Sequence, residues 1–253
     1  MIDLHCHLLP GVDDGSRSVD QSVQVLARMA EAGVTAVCLT PHLDASRAEP
    51  GIPPVYDQAF ESLSAVAPSQ VTLHRGVELM LDRPFPRAAA SNRSLCLGGS
   101  RYLLVEFTRM AAPTAVYNAM GHIANLGLVP VLAHPERYTC CTPQVAAGWK
   151  QAGALLQVDA NTLFMPRARG ERARQLIAAG LADILAADNH GDDRSVSAPF
   201  VTLCEQGGEE QAELLLVRNP TAILADQSTE NVPPLSLRTS LFERLKNLWN
   251  PEV

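Results

Sequence analysis

No run of about eighteen apolar residues occurs anywhere in the 253-residue chain, so nothing in it reads as a membrane-spanning helix. It also has no block of basic residues, and a formal net charge of −7 with a pI near 5.5 makes nucleic acid a poor candidate partner. The first residues lack a basic leader, an apolar core and a small-residue cleavage site, which makes a cytoplasmic location the expectation. The cysteines, Cys6, Cys38, Cys96, Cys140, Cys141 and Cys204, contain no CxxC pair and read as reduced thiols. None has an arginine six positions on, which excludes the phosphate loop of a thiol-dependent tyrosine phosphatase. No GxGxxG follows the first strand candidate, which removes the commonest reason to expect an open dinucleotide-binding sheet.

What is present is a balance of 47% hydrophobic and 19% charged residues, suited to a globular protein with one α/β barrel domain of this length. Strand-length apolar runs alternate with helical periodicity. The strand candidates are "MIDLH", "VTAVCLT", "QVTLHRGVEL", "RYLLVEF", "LVPVLAH", "ALLQVDA" and "ADILAAD". Helix candidates fall at 19–32, 56–66, 115–126, 144–151 and 168–179, several closed by glycine. Strands this apolar need both faces covered, so the expectation is a closed or nearly closed parallel barrel spanning 1–225, with an open doubly wound sheet as the alternative. The proline-rich "PHLDASRAEPGIPPVYD" reads as a loop over one mouth. Beyond it all, 226–253 reads as a flexible link, "DQSTENVPP", followed by an amphipathic helix with Leu237, Leu241, Leu245 and Leu248 on one stripe, packing on the barrel or on a second subunit as a homo-oligomer.

Functional groups of such barrels cluster where strands end. The chain opens "IDLHCH", and alternation along an extended strand sends His5 and His7 one way and Leu4 and Cys6 the other. The second strand runs into His42, the third ends at Glu78, the fourth at Glu106, the fifth at His134, and the seventh at Asp188 with His190 beyond. Each has a dull explanation alone, as a cap or a loop residue. Their recurrence at equivalent positions implies a shared site. These histidines and carboxylates exceed what one tetrahedral zinc can use, which implies two or three divalent ions bridged by a carboxylate. Nitrogen and oxygen donors with few thiolates favour manganese, iron or zinc. His74, mid-strand, and His122, within a helix candidate, read as structural or exposed.

"DLHCH", "TPH", "GVEL", "LAHPERY" and "DNH", in that order and spacing, resemble the PHP (polymerase and histidinol phosphatase) superfamily. "IDLHCHLLPGVDDGS" with "HPERY" is most similar to its CpsB/CapC branch, manganese-dependent protein-tyrosine phosphatases of bacterial capsule and exopolysaccharide systems. The resemblance runs from Met1 to about Leu224 and implies a distorted TIM-like (β/α)7 barrel of the PHP type. Carried over, it implies that His5, His7, Glu78 and Asp188 hold one ion and that Glu78, Glu106 and His134 hold a second. His42 and His190 would hold a third with Asp14, though a one-residue slip in the turn would substitute Asp13. Arg137 and Arg194 match the family's phosphate-binding arginines. The chain departs from the pattern at Cys6, where serine is usual, and at Asn189; both side chains are expected to point away from the ions.

The implied chemistry is attack on phosphorus by a metal-activated hydroxide, with Arg137 and Arg194 neutralising the phosphoryl oxygens. The implied substrate is the tyrosine-phosphorylated tail of a membrane-associated bacterial kinase. The nearest alternative is a PHP phosphatase acting on a small phosphomonoester such as histidinol phosphate. An amidohydrolase that uses a carbamylated lysine is disfavoured, because the only lysines, Lys150 and Lys246, lie at no strand end. A barrel that binds metal only for docking would not need both arginines.

Overall fold

The computed structural model describes residues 1–237, and the expected tail helix lies outside the described residues. Every strand candidate forms a parallel strand: β1 (Ile2–Cys6), β2 (Ala36–Leu39), β3 (His42–Asp44), β4 (Thr72–Arg75), β5 (Glu78–Met80), β6 (Tyr102–Glu106), β7 (Val129–Ala133), β8 (Leu155–Asp159) and β9 (Ile184–Ala186). One candidate, "QVTLHRGVEL", is broken into β4 and β5, and β3 is a further strand just beyond the second candidate. Pro41, which has no N–H to donate, lies between β2 and β3, and Gly76 and Val77 separate β4 from β5.

These breaks divide the sheet into β1-β2-β4 and β3-β5-β6-β7-β8-β9, yet the chain crosses from one to the other at both breaks. A bridge between Cys6 and Asn189, with the His7 N–H donating to the Asn189 carbonyl at 2.7 Å, joins β1 to the chain beyond β9 and closes the cylinder. The result is a distorted TIM-like barrel of seven βα units, as expected.

Helices α1 (Val19–Glu31), α2 (Pro54–Ser64), α3 (Pro113–Asn125), α4 (Pro143–Gln151) and α5 (Ala168–Ala178) surround it. Their starts follow local chemistry: the Ser18 hydroxyl accepts from Gln21 N–H at 3.2 Å, Thr142 caps α4 through Val145 N–H, and proline opens α2, α3 and α4. Leu26, Met29, Ile123, Leu176 and Ile177 from the helices pack on Leu39, Leu79, Leu103, Leu132 and Leu156 from the strands. A second cluster, including Ile2, Leu4, Cys38, Leu104, Val131, Ala133 and Ile184, fills the barrel interior, with Ile223 at one end.

β1 departs from simple alternation. Asp3 pairs with Val37 but Cys6 with Leu39, three steps against two, so the strand carries a bulge. Leu4 and Cys6 therefore do not share a face as expected: Leu4 belongs to the interior cluster and Cys6 to the outer one. The bulge re-aims His5 and His7 toward the mouth.

Two further expectations are corrected. The proline-rich segment is only partly loop, since it begins as β3 and ends within α2, with the Tyr56 hydroxyl donating to the His42 carbonyl at 2.7 Å. The stretch from Asp226 is not a free linker over its described part. Asn219 bonds Glu230 through both main-chain groups, the Tyr102 hydroxyl donates to Gln227, and Val232 is buried. Between β9 and that stretch, α6 (Ser197–Glu205), α7 (Glu209–Glu213), a π-helical turn at Leu214–Arg218 and α8 (Asn219–Leu224) finish the wall. Among the described residues no helix is long and apolar enough to cross a membrane.

Candidate metal centre

The strand ends bring His5, His7, Asp14, His42, Glu78, Glu106, His134, Asp188 and His190 together at one mouth. His5 Nε2 lies 3.1 Å from Glu78 Oε2 and 3.2 Å from Asp188 Oδ1; His7 Nε2 lies 3.2 and 3.3 Å from the same two oxygens, and the two Nε2 atoms are 3.1 Å apart. Their opposite nitrogens are committed. His5 Nδ1 donates to Gln157 Oε1 at 2.9 Å and His7 Nδ1 to Asp13 Oδ2 at 2.8 Å. With a cation bound, each ring would be neutral and would turn a lone pair, not a proton, toward the point that the two carboxylates face. Glu78 Oε2 and Asp188 Oδ1, both buried, have no hydrogen-bond donor. Two imidazole nitrogens and two carboxylate oxygens converging on one point fit a divalent cation, and this donor set suits manganese, iron or zinc.

Glu78 is shared. Its Oε1 lies 2.8 Å from His134 Nε2, and its Oε2 lies 3.1 Å from His42 Nδ1. Glu106 lies 3.2 Å from His42 Nδ1 and 3.8 Å from His134 Nε2. The structure thus brings His42, as well as the expected His134, against Glu78 and Glu106. A third group joins His7, His42 and His190 to Asp14, whose Oδ1 is 3.4 Å from His42 Nε2 and 3.5 Å from His190 Nε2. The geometry separates the adjacent aspartates. Asp14 faces this third group, whereas Asp13 orients His7 and also accepts the Gly15 and His42 N–H groups.

The charges show the same demand for positive charge. Burial opposes protonation of His7, yet Asp13, Asp188 and Glu78 outweigh it and hold its pKa well above the ordinary histidine value. Burial likewise disfavours the His42 cation, but Glu106 and Glu78 raise it to about 10. For Glu78, burial is overcome by His5, His134 and His42, which hold the carboxyl well below the usual range. His134 and Asp188 also adopt left-handed backbone, φ 34° and 49°, uncommon for residues with a Cβ and found here at two strand ends that supply the site.

Two guanidinium groups flank Asp188. Arg137 bonds Asp159 Oδ2 at 2.8 Å and also pairs with Asp188. Arg194 is gripped by Asp192 at Nε, 2.9 Å, and at Nη2, 2.8 Å, leaving Nη1 3.7 Å from Asp188 Oδ2. Both arginines remain partly exposed at the mouth. Gln157, Asp159 and Asp192 were not identified from sequence, although Asp159 ends the sixth strand, where the pattern of the others pointed. The Asn189 side chain turns away from the ligands and bonds the backbone of Gly191, Asp192 and Arg194, shaping the loop that carries Arg194. Cys6 is buried in the outer core. His122 bonds the Phe85 carbonyl, and neither it nor His74 joins the metal-ligating groups.

Comparison with known proteins agrees with this geometry. Tyrosine-protein phosphatase CpsB of Streptococcus pneumoniae is 27% identical over 242 residues, covering 90% of this chain and 99% of that protein. Tyrosine-protein phosphatase YwqE of Bacillus subtilis is 26% identical over 256 residues, covering 96% and 99%. A solved structure from the work on YwqE and CpsB, described as unique metal-dependent tyrosine phosphatases, superposes with a TM-score of 0.78 at 23% identity, over 94% of this chain and all of that one. The phosphotriesterase of Mycobacterium tuberculosis shares the barrel more distantly, with a TM-score of 0.56 at 14% identity over 84% of this chain and 86% of that one. The family model for capsular polysaccharide synthesis proteins CpsB/CapC matches residues 1–225, and the chain belongs to that family.

Proposed function

We propose that this protein is a metal-dependent protein-tyrosine phosphatase that uses two or three manganese ions and acts in the cytoplasm on the phosphorylated tail of a membrane-associated kinase of a polysaccharide export system. One observation carries the reading: buried, donorless oxygens of Glu78 and Asp188 face two oriented imidazole nitrogens, with Arg137 and Arg194 on either side. The named relatives supply the substrate class. The thiols, all free, are in keeping with a reducing compartment.

Ions held there supply Lewis-acid polarisation of the phosphoryl group and a water acidic enough to react near neutral pH. The protein's own residues do the rest. Gln157 and Asp13 fix the tautomers of His5 and His7 so that both Nε2 atoms are ligands. Asp159 and Asp192 hold the guanidinium groups of Arg137 and Arg194 toward Asp188, where they neutralise the phosphoryl oxygens as the ester bond breaks. Tyrosine's phenolate, with a pKa near 10, leaves more readily than an alkoxide, so little is asked of a general acid.

The test is phosphate release from a phosphotyrosine peptide and from histidinol phosphate, using chelator-stripped protein with and without manganese. Peptide turnover that needs manganese and falls by at least about a hundredfold in Arg137→Ala and His134→Ala is expected, a loss of the size seen for a transition-state charge contact. Turnover confined to histidinol phosphate would overturn it.

A further inference from the structure

The loop after β6 brings Arg109 and Met110 to the mouth, and the loop after β8 brings Phe164, Met165 and, in the first turn of α5, Arg169. The first loop is tied to the segment that carries Arg137: Thr139 N–H donates to the Arg109 carbonyl at 3.1 Å, and the Cys140 thiol donates to the Ala111 carbonyl. The second is tied to the same segment through Arg172 Nε, which donates to the Glu136 carbonyl at 2.7 Å. Burial, and then the like charges of Arg137 and Arg109, press the Arg169 pKa downward, so the three guanidinium groups share one field.

That field is unbalanced. Glu136 and Asp159 oppose the downward pressure on Arg169, but both are buried and Asp159 is already bonded to Arg137. Arg109 and Arg169 make no side-chain hydrogen bond or ion pair among the described residues. In a chain of net charge −7, a positive rim beside a phosphate site is a local exception. Beside it Met110, Phe164 and Met165 stay 78%, 40% and 42% exposed, giving an extended peptide apolar surface to lie on.

We infer that Arg109 and Arg169 form an anion-recognising rim that selects phosphotyrosine peptides bearing a second negative group, a carboxylate or a second phosphate, close to the phosphotyrosine. The inference rests on the phosphotyrosine reading above. The rim acts on peptide capture, not on the bond broken, so a small aryl phosphate does not feel it.

The experiment compares four substrates on the manganese-loaded enzyme: p-nitrophenyl phosphate and three phosphotyrosine peptides of one sequence, flanked by neutral amides, by carboxylates, or by a second phosphotyrosine. Wild type is expected to favour both anionic peptides in kcat/KM by about tenfold over the neutral one. Arg109→Ala and Arg169→Ala should each remove about threefold to fivefold of that preference, the upper range for an exposed ion pair, and leave p-nitrophenyl phosphate turnover unchanged. A preference for only one anionic peptide identifies the source of the charge. Equal rates on all three peptides overturn the rim while the phosphatase reading stands. Anisotropy binding of the same peptides runs alongside. Charge-dependent binding through Arg109 and Arg169 with no turnover of any substrate would keep the rim and defeat the phosphatase reading.

Discussion

Gly15→Ala tests whether the turn behind the first two histidines is built as tightly as its geometry shows. A Cβ on Gly15 would sit 2.0 Å from the His7 carbonyl oxygen and 2.5 Å from the His7 Cβ. Carbon–oxygen contacts relax only near about 3.3 Å, so the turn must open by about 1 Å. That opening breaks the Ser16 N–H bond to the His7 carbonyl, now 2.9 Å, and draws Asp13 off His7 Nδ1. A lost hydrogen bond of about 1 kcal/mol and an overpacking cost of about 1–3 kcal/mol sum to about 2–4 kcal/mol. For a chain of this size each kcal/mol lowers Tm by roughly 2–4 °C, which predicts a fall of about 4–16 °C. Loss of the group that orients His7 should weaken manganese binding by about 10–100-fold. Thermal unfolding of chelated protein and calorimetric titration with manganese measure the two effects. A variant that unfolds within about 2 °C of wild type and binds manganese equally well would refute the argument.

The contrasting case is Gly148, inside α4, where an added Cβ meets nothing within 4 Å. Gly148→Ala should stabilise by about 0.5–1 kcal/mol, read as a raised urea midpoint at unchanged slope, because alanine loses less backbone freedom than glycine. Glu136 makes a pH prediction. Burial first, and then the neighbouring Asp159, push its pKa to about 8 from an ordinary 4.5. Between those values the folded protein keeps a proton that the unfolded chain has released, so its contribution to stability falls as pH rises through that window, by at most about 5 kcal/mol. Chelated Glu136→Gln should therefore gain stability relative to wild type between pH 5 and pH 9 in urea unfolding; a constant difference across that range would contradict the assignment.

The ligands were legible because a parallel barrel converts a sequence pattern into a place. Each of His42, Glu78, Glu106 and Asp188 follows an apolar run that must be a strand, and strand ends share one mouth. His5 and His7 were found by alternation, but the alternation holds only beyond a bulge that no residue of β1 announces, which is why Leu4 and Cys6 fall on different sides. The orienting groups were harder to see. Gln157 is a neutral residue in an apolar run, and its role exists only because β8 lies across from His5. Asp192 acts through a bidentate contact two residues away, which composition cannot distinguish from a solvated loop acid. The region 197–224 left no helical signal long enough to read, since Gly207 and Gly208 interrupt it and a π-helical turn shifts its period. The packing of 226–237 rests on bonds to Asn219 and Tyr102 and on apolar contacts from Val232, Leu235 and Leu237, whose spacing follows neither a helical nor a strand period.

Glu78 faces His5, His7, His42 and His134 at once, so it is the side chain on which the proposed centre depends most. The most direct measurement is manganese titration of chelated wild type and Glu78→Gln, following phosphotyrosine peptide hydrolysis and bound metal together. The account predicts that wild-type rate rises with bound manganese from a negligible baseline and that Glu78→Gln, still folded by circular dichroism, binds less metal and shows no such rise. Full activity in the chelated protein, or an unaltered titration in Glu78→Gln, would contradict it.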